Sequence, residues 1–274
     1  VCSALTLLID NPQASLEEIM AHIPGPDFPS GGFILGQEGI KAAYATGSGH
    51  LRLQAQADIE EKTGHIVITQ LPYQTNKATL VQRIAQLVKD RKIEGIMDVR
   101  DESDREGIRV VIELRKATSA DLVLNQLYRH TSLRSAFNIH MLALVDGQPR
   151  QLNLKELLEQ HIVFRQQVLT RRSRFELREA QARAHILEGL KTALDNLDAI
   201  IALIRASATA EAAQRELMGR FTLSQAQAQA ILEMPLRRLA ALEREKIIQE
   251  YEQVIKDIAR LEDLLSNPNK ILYL

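Results

Sequence analysis

LNLKELLEQHIVFRQQVLTRRSRFELREAQARAHILEGLKTALDNLDAIIALI, residues 152–204, contains no proline and a single glycine, Gly189. Globular helices usually run 8–20 residues, and this helical pattern is far longer. From Asn153 to Glu188 alone it would rise roughly 54 Å at 1.5 Å per residue. A helix of that length reaches out of its own domain. Its middle is rich in arginine, its end is apolar, and Asp195, Asn196 and Asp198 predict a break into shorter helices. Residues 207–237 then predict a small helical globule, apolar at Phe221, Leu223, Ile231, Leu232, Met234 and Leu236, with a bend at Pro235. A second long helix is predicted from about Arg238 to Leu265. Its Ile247, Tyr251, Val254, Ile258, Leu261 and Leu265 recur at alternating spacings of four and three, the seam of a coiled coil. Two long helices joined by a helical knob predict an antiparallel pair. The first helix has the poorer seam: Val168, Phe175, Ala182 and Ile186 keep the heptad, while Arg172 and Glu179 interrupt it. A two-helix stalk has little core of its own. A globule of about thirty residues also buries little alone, so the knob is expected to pack against a second copy of the chain.

Upstream of the long helix the periodicity changes. Residues 1–23 predict two short helices, the second opened by a capping box of Ser15 and Glu18. IPGPDFPSGG, residues 23–32, is turn material dense in proline and glycine. A short helix over Gln37–Thr46 closes at Gly47, and strands follow at His50–Glu60 and His65–Leu71. Next come a helix from Lys77 to Arg91, strands near Ile96–Val99 and Ile108–Leu114, a helix from Ser119 to Tyr128, and a strand over Phe137–Leu144. From Ile66 onward that order is βαββαβ, a ferredoxin-like sandwich. The predicted fold class is therefore α+β: a ferredoxin-like βαββαβ domain, then a long antiparallel coiled coil carrying a small all-α dimerisation knob.

Composition sets bounds. The chain has 274 residues, 34 Lys+Arg against 35 Asp+Glu, and a net charge of −1. No domain-wide basic footprint announces nucleic acid, though a local basic patch suffices for phosphate contacts. Cys2 is the only cysteine, which leaves no internal disulfide and no cysteine zinc cluster and fits a reducing compartment. No apolar run approaches 18 residues, so no helical membrane span is expected. The chain begins at Val1 rather than methionine and reads as part of something longer. RDESDREG, residues 100–107, is acidic but lacks the EF-hand ladder and reads as a surface turn. No metal site is expected.

Six stretches taken together carry a resemblance: IPGPDFPSGG, LPYQTNKATLVQRIAQLV, VRDESDREGIRVVIEL, FNIHMLALVDGQPRQLNLKELL, RRSRFELREAQARAHILEGL and SQAQAQAILEMPLRRLAALEREKI. In this order they resemble the breakage-reunion subunit of bacterial type IIA topoisomerases, over essentially the whole chain. DNA gyrase and topoisomerase IV both stay open as the parent. The resemblance implies a division of the chain. Residues 1–64 would link an upstream winged-helix domain to a tower, 65–150. Residues 151–188 and 238–274 would form a coiled-coil arm, and 189–237 a dimerisation gate through which a transported duplex leaves. It further implies a bacterial cytoplasmic, nucleoid-associated protein, double-stranded DNA as a partner, a homodimer, and an ATPase partner subunit whose acidic domain holds magnesium. Magnesium and ATP would belong to that partner, and no cofactor to this chain.

The family's nucleophilic tyrosine sits in an Arg-Tyr-Thr context. Tyr44, Tyr73, Tyr128, Tyr251 and Tyr273 stand in other contexts. No catalytic residue is therefore transferred, and this chain alone is expected not to cleave DNA. The candidate DNA contacts are Arg52, Lys77 and Arg83 in the tower, where cations can hold phosphates without reading bases, and Arg171 and Arg172 in the arm. The candidate dimer contacts are Phe221, Leu223, Ile231, Leu232, Met234 and Leu236. Two rivals belong to other classes. One is a purely structural coiled-coil dimer without DNA contact. The other is an RNA-binding module of the same βαββαβ order; such modules stack bases on strand aromatics, and Ile66–Leu71 and Ile108–Leu114 have none.

Overall fold

The computed structural model describes residues 1–60, 63–116, 118–235 and 241–274. They form two units, Val1–His161 and Ile162–Leu274. The first unit opens with α1 (Cys2–Asp10) and α2 (Leu16–His22). The predicted capping box is present: Glu18 N donates to Ser15 Oγ, and Ser15 N to Glu18 Oε2. The Pro/Gly stretch leads to β1 (Phe33–Ile34) and α3 (Glu38–Thr46), which Gly47 ends at φ 77°. The strand predicted over His50–Glu60 is divided into β2 (Ser48–Gln54) and β3 (Gln56–Ile59). Ala55, fully buried between them, donates its N–H to Leu133 O at 2.8 Å.

Next come β4 (Ile66–Gln70), α4 (Lys77–Lys89), β5 (Ile96–Asp101), β6 (Val110–Leu114) and α5 (Ala120–His130). The sheet order is β3-β4-β6-β5. β6 is antiparallel to both β4 and β5, so β4–α4–β5 is a split crossover. The apolar stripes of the two helices cover one face: Leu80, Ile84 and Leu87 from α4, and Val123 and Leu127 from α5, meet Ile66, Ile68, Val110 and Ile112.

One strand departs from the ferredoxin-like expectation. The place beside β4 that the strand after α5 would take is held by β3, which the short turn to β4 puts there first. The expected Phe137–Leu144 strand is two strands, β7 (Arg134–His140) and β8 (Leu142–Val145). β7 joins a second sheet, β1-β2-β7, pairing antiparallel along all of β2 from Ser48↔His140 to Gln54↔Arg134. β8 forms a hairpin with β9 (Gln148–Gln151) around Asp146 and Gly147.

α6 (Leu154–Asp195, 42 residues) starts in the first unit and continues in the second. Its start is fixed by reciprocal bonds between Asn153 and Glu156, a capping-box geometry. It ends at Asn196, where the break was expected. α7 (Leu197–Ala206), α8 (Ala210–Phe221) and α9 (Gln225–Leu232) follow, then α10 (Ala241–Ser266) and α11 (Pro268–Leu272). α10 runs antiparallel to α6: Arg244 bonds Asp195 near one end, and Gln181 reaches Glu262 toward the other. Ile247 and Leu261 of the predicted seam are buried, and at the far end Leu264 is more buried than Leu265. No helix among the described residues is long and apolar enough to cross a membrane.

Candidate nucleic-acid interface and helical knob

The sheet β1-β2-β7 has one covered face and one open face. On the covered side Leu51 and Leu53 are buried, and α3 lies close over β2. A Cβ on Gly49 would meet the Ala43 Cβ and the Gly39 O at 2.7 Å, so glycine is what lets helix and strand approach. The open side carries His50, Arg52 and Gln54 opposite Asn138, Ala136 and Arg134. His50 Nδ1 lies 2.6 Å from Asn138 Oδ1, and Ser48 Oγ lies 3.3 Å from His140 Nδ1. Arg134 donates to Gln54 Oε1 at 2.6 and 3.0 Å and stacks over the Tyr128 ring at 5.1 Å. Arg52, facing only the small Ala136, makes no ion pair among the described residues. Phe33, 52% exposed, stands opposite Gln54 and so on the same face. The result is a two-stranded ribbon with a row of polar and cationic groups and one open arginine. The sequence alone points only to Arg52; the row needs the β2·β7 register, which pairs residues 80 to 92 positions apart.

The Pro/Gly loop is fastened beside this ribbon. Phe28, Tyr73 and Phe137 form a ring cluster with centroids 5.1–5.8 Å apart, and Gly32 N donates to Gln70 Oε1 at 2.6 Å. Gly32 holds φ 86°, and a Cβ there would meet Gln54 O at 2.8 Å, so position and backbone both require glycine.

The other tower candidates differ from Arg52. Lys77 is bound to Asp101 at 2.8 Å. That contact, with Ser103 bonding the same carboxylate, holds the Asp101 pKa down at about 2. The Lys77 charge is already balanced, which weakens it as a phosphate ligand. Arg83 projects from the exposed side of α4, away from buried Leu80, Ile84 and Leu87, and has no ion pair among the described residues. The acidic turn is likewise occupied. Arg100 bridges Glu102 and Glu113, Arg109 bridges Glu102 and Glu60, and Asp104 accepts from Glu106 N. These bonds make it the locally capped surface turn that its spacing suggested.

The arm arginines divide in the same way. Arg172 pairs with Glu176 at i,i+4, and Arg183 pairs with Glu250 on α10. Arg171, Arg174 and Arg178, spaced three and four apart, share one face of α6 and have no ion pair among the described residues. Arg171 thus remains an open cation while Arg172 does not. Arg171 and Arg174 also border a hollow of about 340 Å³ closed by Pro268 and Ile271.

Burial divides the candidate dimer contacts of the knob. Leu223 and Ile231 are buried with Leu187, Leu190, Leu194, Ile200, Leu203, Leu217 and Ile247, so they build the knob's own core. Phe221, Leu232 and Met234 are only partly buried against that core and keep some surface free. Leu236 lies outside the described residues. The core also exceeds residues 189–237, because it takes Leu187 from α6 and Ile247 from α10. The α9 N-terminus docks tightly on α6. Gln227 Nε2 donates to His185 O at 2.7 Å, His185 Nε2 lies 2.7 Å from Ser224 Oγ, and a Cβ on Gly189 would meet Gln227 Cβ at 2.6 Å.

Four of the five tyrosines are held by neighbouring groups, and Tyr273 is 72% exposed. Burial pushes the Tyr44 and Tyr128 phenols above their ordinary pKa, which disfavours the phenolate. Tyr73 is in the ring cluster, and Tyr251 lies under Lys191.

Comparison with known proteins decides the family. The profile for the A subunit of DNA gyrase/topoisomerase IV matches residues 1–274. The chain belongs to the DNA gyrase/topoisomerase IV A-subunit family. It is 58% identical to the DNA gyrase A subunit of Dehalogenimonas lykanthroporepellens, covering 100% of this chain and 34% of that protein. It is 54% identical to that of Clostridium acetobutylicum over 99% of this chain and 33% of the relative. For Staphylococcus aureus the identity is 48%, covering 97% of this chain and 30% of the relative. The chain thus spans about a third of the length of the curated relatives it matches.

Proposed function

We propose that this chain is the tower, coiled-coil arm and exit gate of a DNA gyrase A subunit, working in the cytoplasm of a bacterium. The carrying observation is the family match over the full chain together with relatives named as DNA gyrase A subunits; those names favour gyrase over topoisomerase IV. In this reading residues 65–150 are the tower, a ferredoxin-like sandwich whose fourth strand comes from β3. Together with β2 of the preceding segment, it supports an arm of bent duplex DNA on the open β2·β7 face, through Arg52 and the row around it. Such contacts position the duplex without reading its sequence. α6 and α10 form the arm, and Arg171, Arg174 and Arg178 face the passing duplex. The partly exposed Phe221, Leu232 and Met234 join two knobs into a homodimeric gate that stays closed while DNA is cut above it. The nucleophilic tyrosine is supplied from outside this chain, and magnesium and ATP by the gyrase B subunit.

A chimaera tests the reading. The corresponding segment of the Dehalogenimonas gyrase A subunit is replaced by this chain and assayed with its gyrase B partner, ATP and relaxed plasmid. ATP-dependent supercoiling is expected. A folded, dimeric chimaera that cleaves but cannot supercoil would contradict the gate assignment, and one that fails to bind duplex would contradict the tower assignment.

A further inference from the structure

A second basic feature lies in the first unit, at the far end of α4 from Lys77. A hollow of about 450 Å³ is lined by Val88, Lys89, Arg91, Ile93, Glu94, Gly95, Ile96 and Arg115. Its floor is rigid, since Ile93 and Ile96 are buried in the tower core. Its three cations come from three places: the last turn of α4, the turn after it, and the segment just past β6. None has an ion pair among the described residues. The Lys77 end of the same helix is neutralised by Asp101.

Arg91 supplies an independent observation. It follows the α4 C-cap and holds φ 57°, the left-handed region. Lys92 N donates to Leu87 O, and Arg91 N to Val88 O, the bond pattern of a Schellman ending. That position normally carries glycine, and a side chain there costs roughly 1 kcal/mol. The backbone strain is borne by a residue that lines the hollow.

Charge decides the kind of ligand. Lys89, Arg91 and Arg115 bring three positive charges to the lining, and Glu94 removes one. The C-terminus of α4 contributes about half a negative charge. The balance is roughly one and a half positive charges on a polar, concave, preformed surface. Helix-end stabilisation would account for Lys89 but not for Arg115, which lies just past the end of β6. Guanidinium groups favour bidentate contact with phosphate oxygens.

We propose that this hollow binds closely spaced phosphate groups, with Arg91 and Arg115 as the direct ligands and Lys89 as a supporting charge. The phosphates are those of a nucleic-acid backbone or of a free polyphosphate. The site is distinct from the β2·β7 face.

The test is calorimetric titration of the whole chain with inorganic triphosphate at low salt. Wild type is compared with Arg91→Gly, with Arg91→Gly/Arg115→Gln, and with a control that loses two charges elsewhere, Lys41→Gln/Arg205→Gln. Wild type and control are expected to bind one triphosphate with equal affinity. Arg91→Gly should weaken binding at least about tenfold, the size of one charge-assisted contact. It should also keep or raise the unfolding temperature, because glycine suits the left-handed backbone. The double variant, left with net negative charge, should not bind. A short DNA duplex that displaces triphosphate assigns the backbone as the source, and one that does not assigns a free polyphosphate. Absent wild-type binding, binding unchanged in the double variant, or equal loss in the control would overturn the proposal.

Discussion

The tower and the knob bury their apolar residues in different ways. The tower core runs from Ala55 to Leu133 and closes between one sheet and two helices. The knob core takes Leu187, Leu190, Ala193 and Leu194 from the end of α6 and Ile247 from α10, and only the rest from its own short helices. The tower can therefore be complete by itself, while the knob is folded only as far as the ends of the arm hold it.

Core truncation should show the difference most strongly. Ile84→Ala in the tower and Leu187→Ala in the knob should each cost about 2–5 kcal/mol locally. Hydrogen exchange should show the first loosening β4, β5 and β6 while leaving α8 and α9 protected. The second should deprotect α7, α8 and α9 and leave the tower sheet unchanged. Simultaneous loss of protection in both regions would remove the contrast.

A smaller effect is expected at the tight crossing of α6 and α9. Gly189→Ala places a methyl against Gln227 and should cost about 1–3 kcal/mol by overpacking. The bond from Gln227 to His185 O should lengthen or break, with chemical shifts moving at His185 and Ser224. An unshifted Ser224 would mean that the crossing is looser than the structure shows.

Surface substitutions on the knob probe the proposed dimer contact. Phe221→Asp and Met234→Asp should shift sedimentation toward monomer with helicity retained, because these residues are only half-buried. Ile231→Asp should lose helicity, because it sits in the core. A folded Phe221→Asp/Met234→Asp double variant that remains fully dimeric would remove the knob from the interface.

The smallest expected effect concerns charge at the tower. Asp101 has its pKa lowered from 3.8 to about 2, chiefly by Lys77 and next by Ser103. A carboxylate lowered in the folded state stabilises above its unfolded pKa, and that contribution is lost as pH falls from about 4 toward 2. Lys77→Gln should raise the Asp101 pKa toward its ordinary value, as a carboxylate NMR titration would show, with little change in DNA affinity. A large loss of affinity would return Lys77 to the list of phosphate ligands.

Much of the fold was legible because its signals are local. The Ser15–Glu18 box, the Gly47 stop, the Asn196 break and the α10 seam each lie within a few residues. The fourth strand of the tower sheet was not legible. Alternation identifies β7 as a strand, but nothing in it says that Phe137 will pair with Leu51 rather than extend the neighbouring sheet. The site divides along the same line. Glu176 lies one turn beyond Arg172, so their pairing is readable on a helix. Asp101 reaches Lys77 from across the fold, and the His50–Asn138 row exists only once β2 and β7 are aligned. In the knob, apolar residues were easy to find, but which of them face inward depends on α6 and α10 closing over Leu223 and Ile231.

In the proposed function the open β2·β7 face carries duplex DNA. The direct measurement is a salt titration of duplex binding by fluorescence anisotropy, comparing wild type with Arg52→Gln/Arg134→Gln. Wild type should bind at low salt and weaken linearly on a log–log plot. The double variant should lower the slope by up to about two, near 0.9 per phosphate contact. No wild-type binding at low salt, or an unchanged slope in a folded double variant, would contradict it.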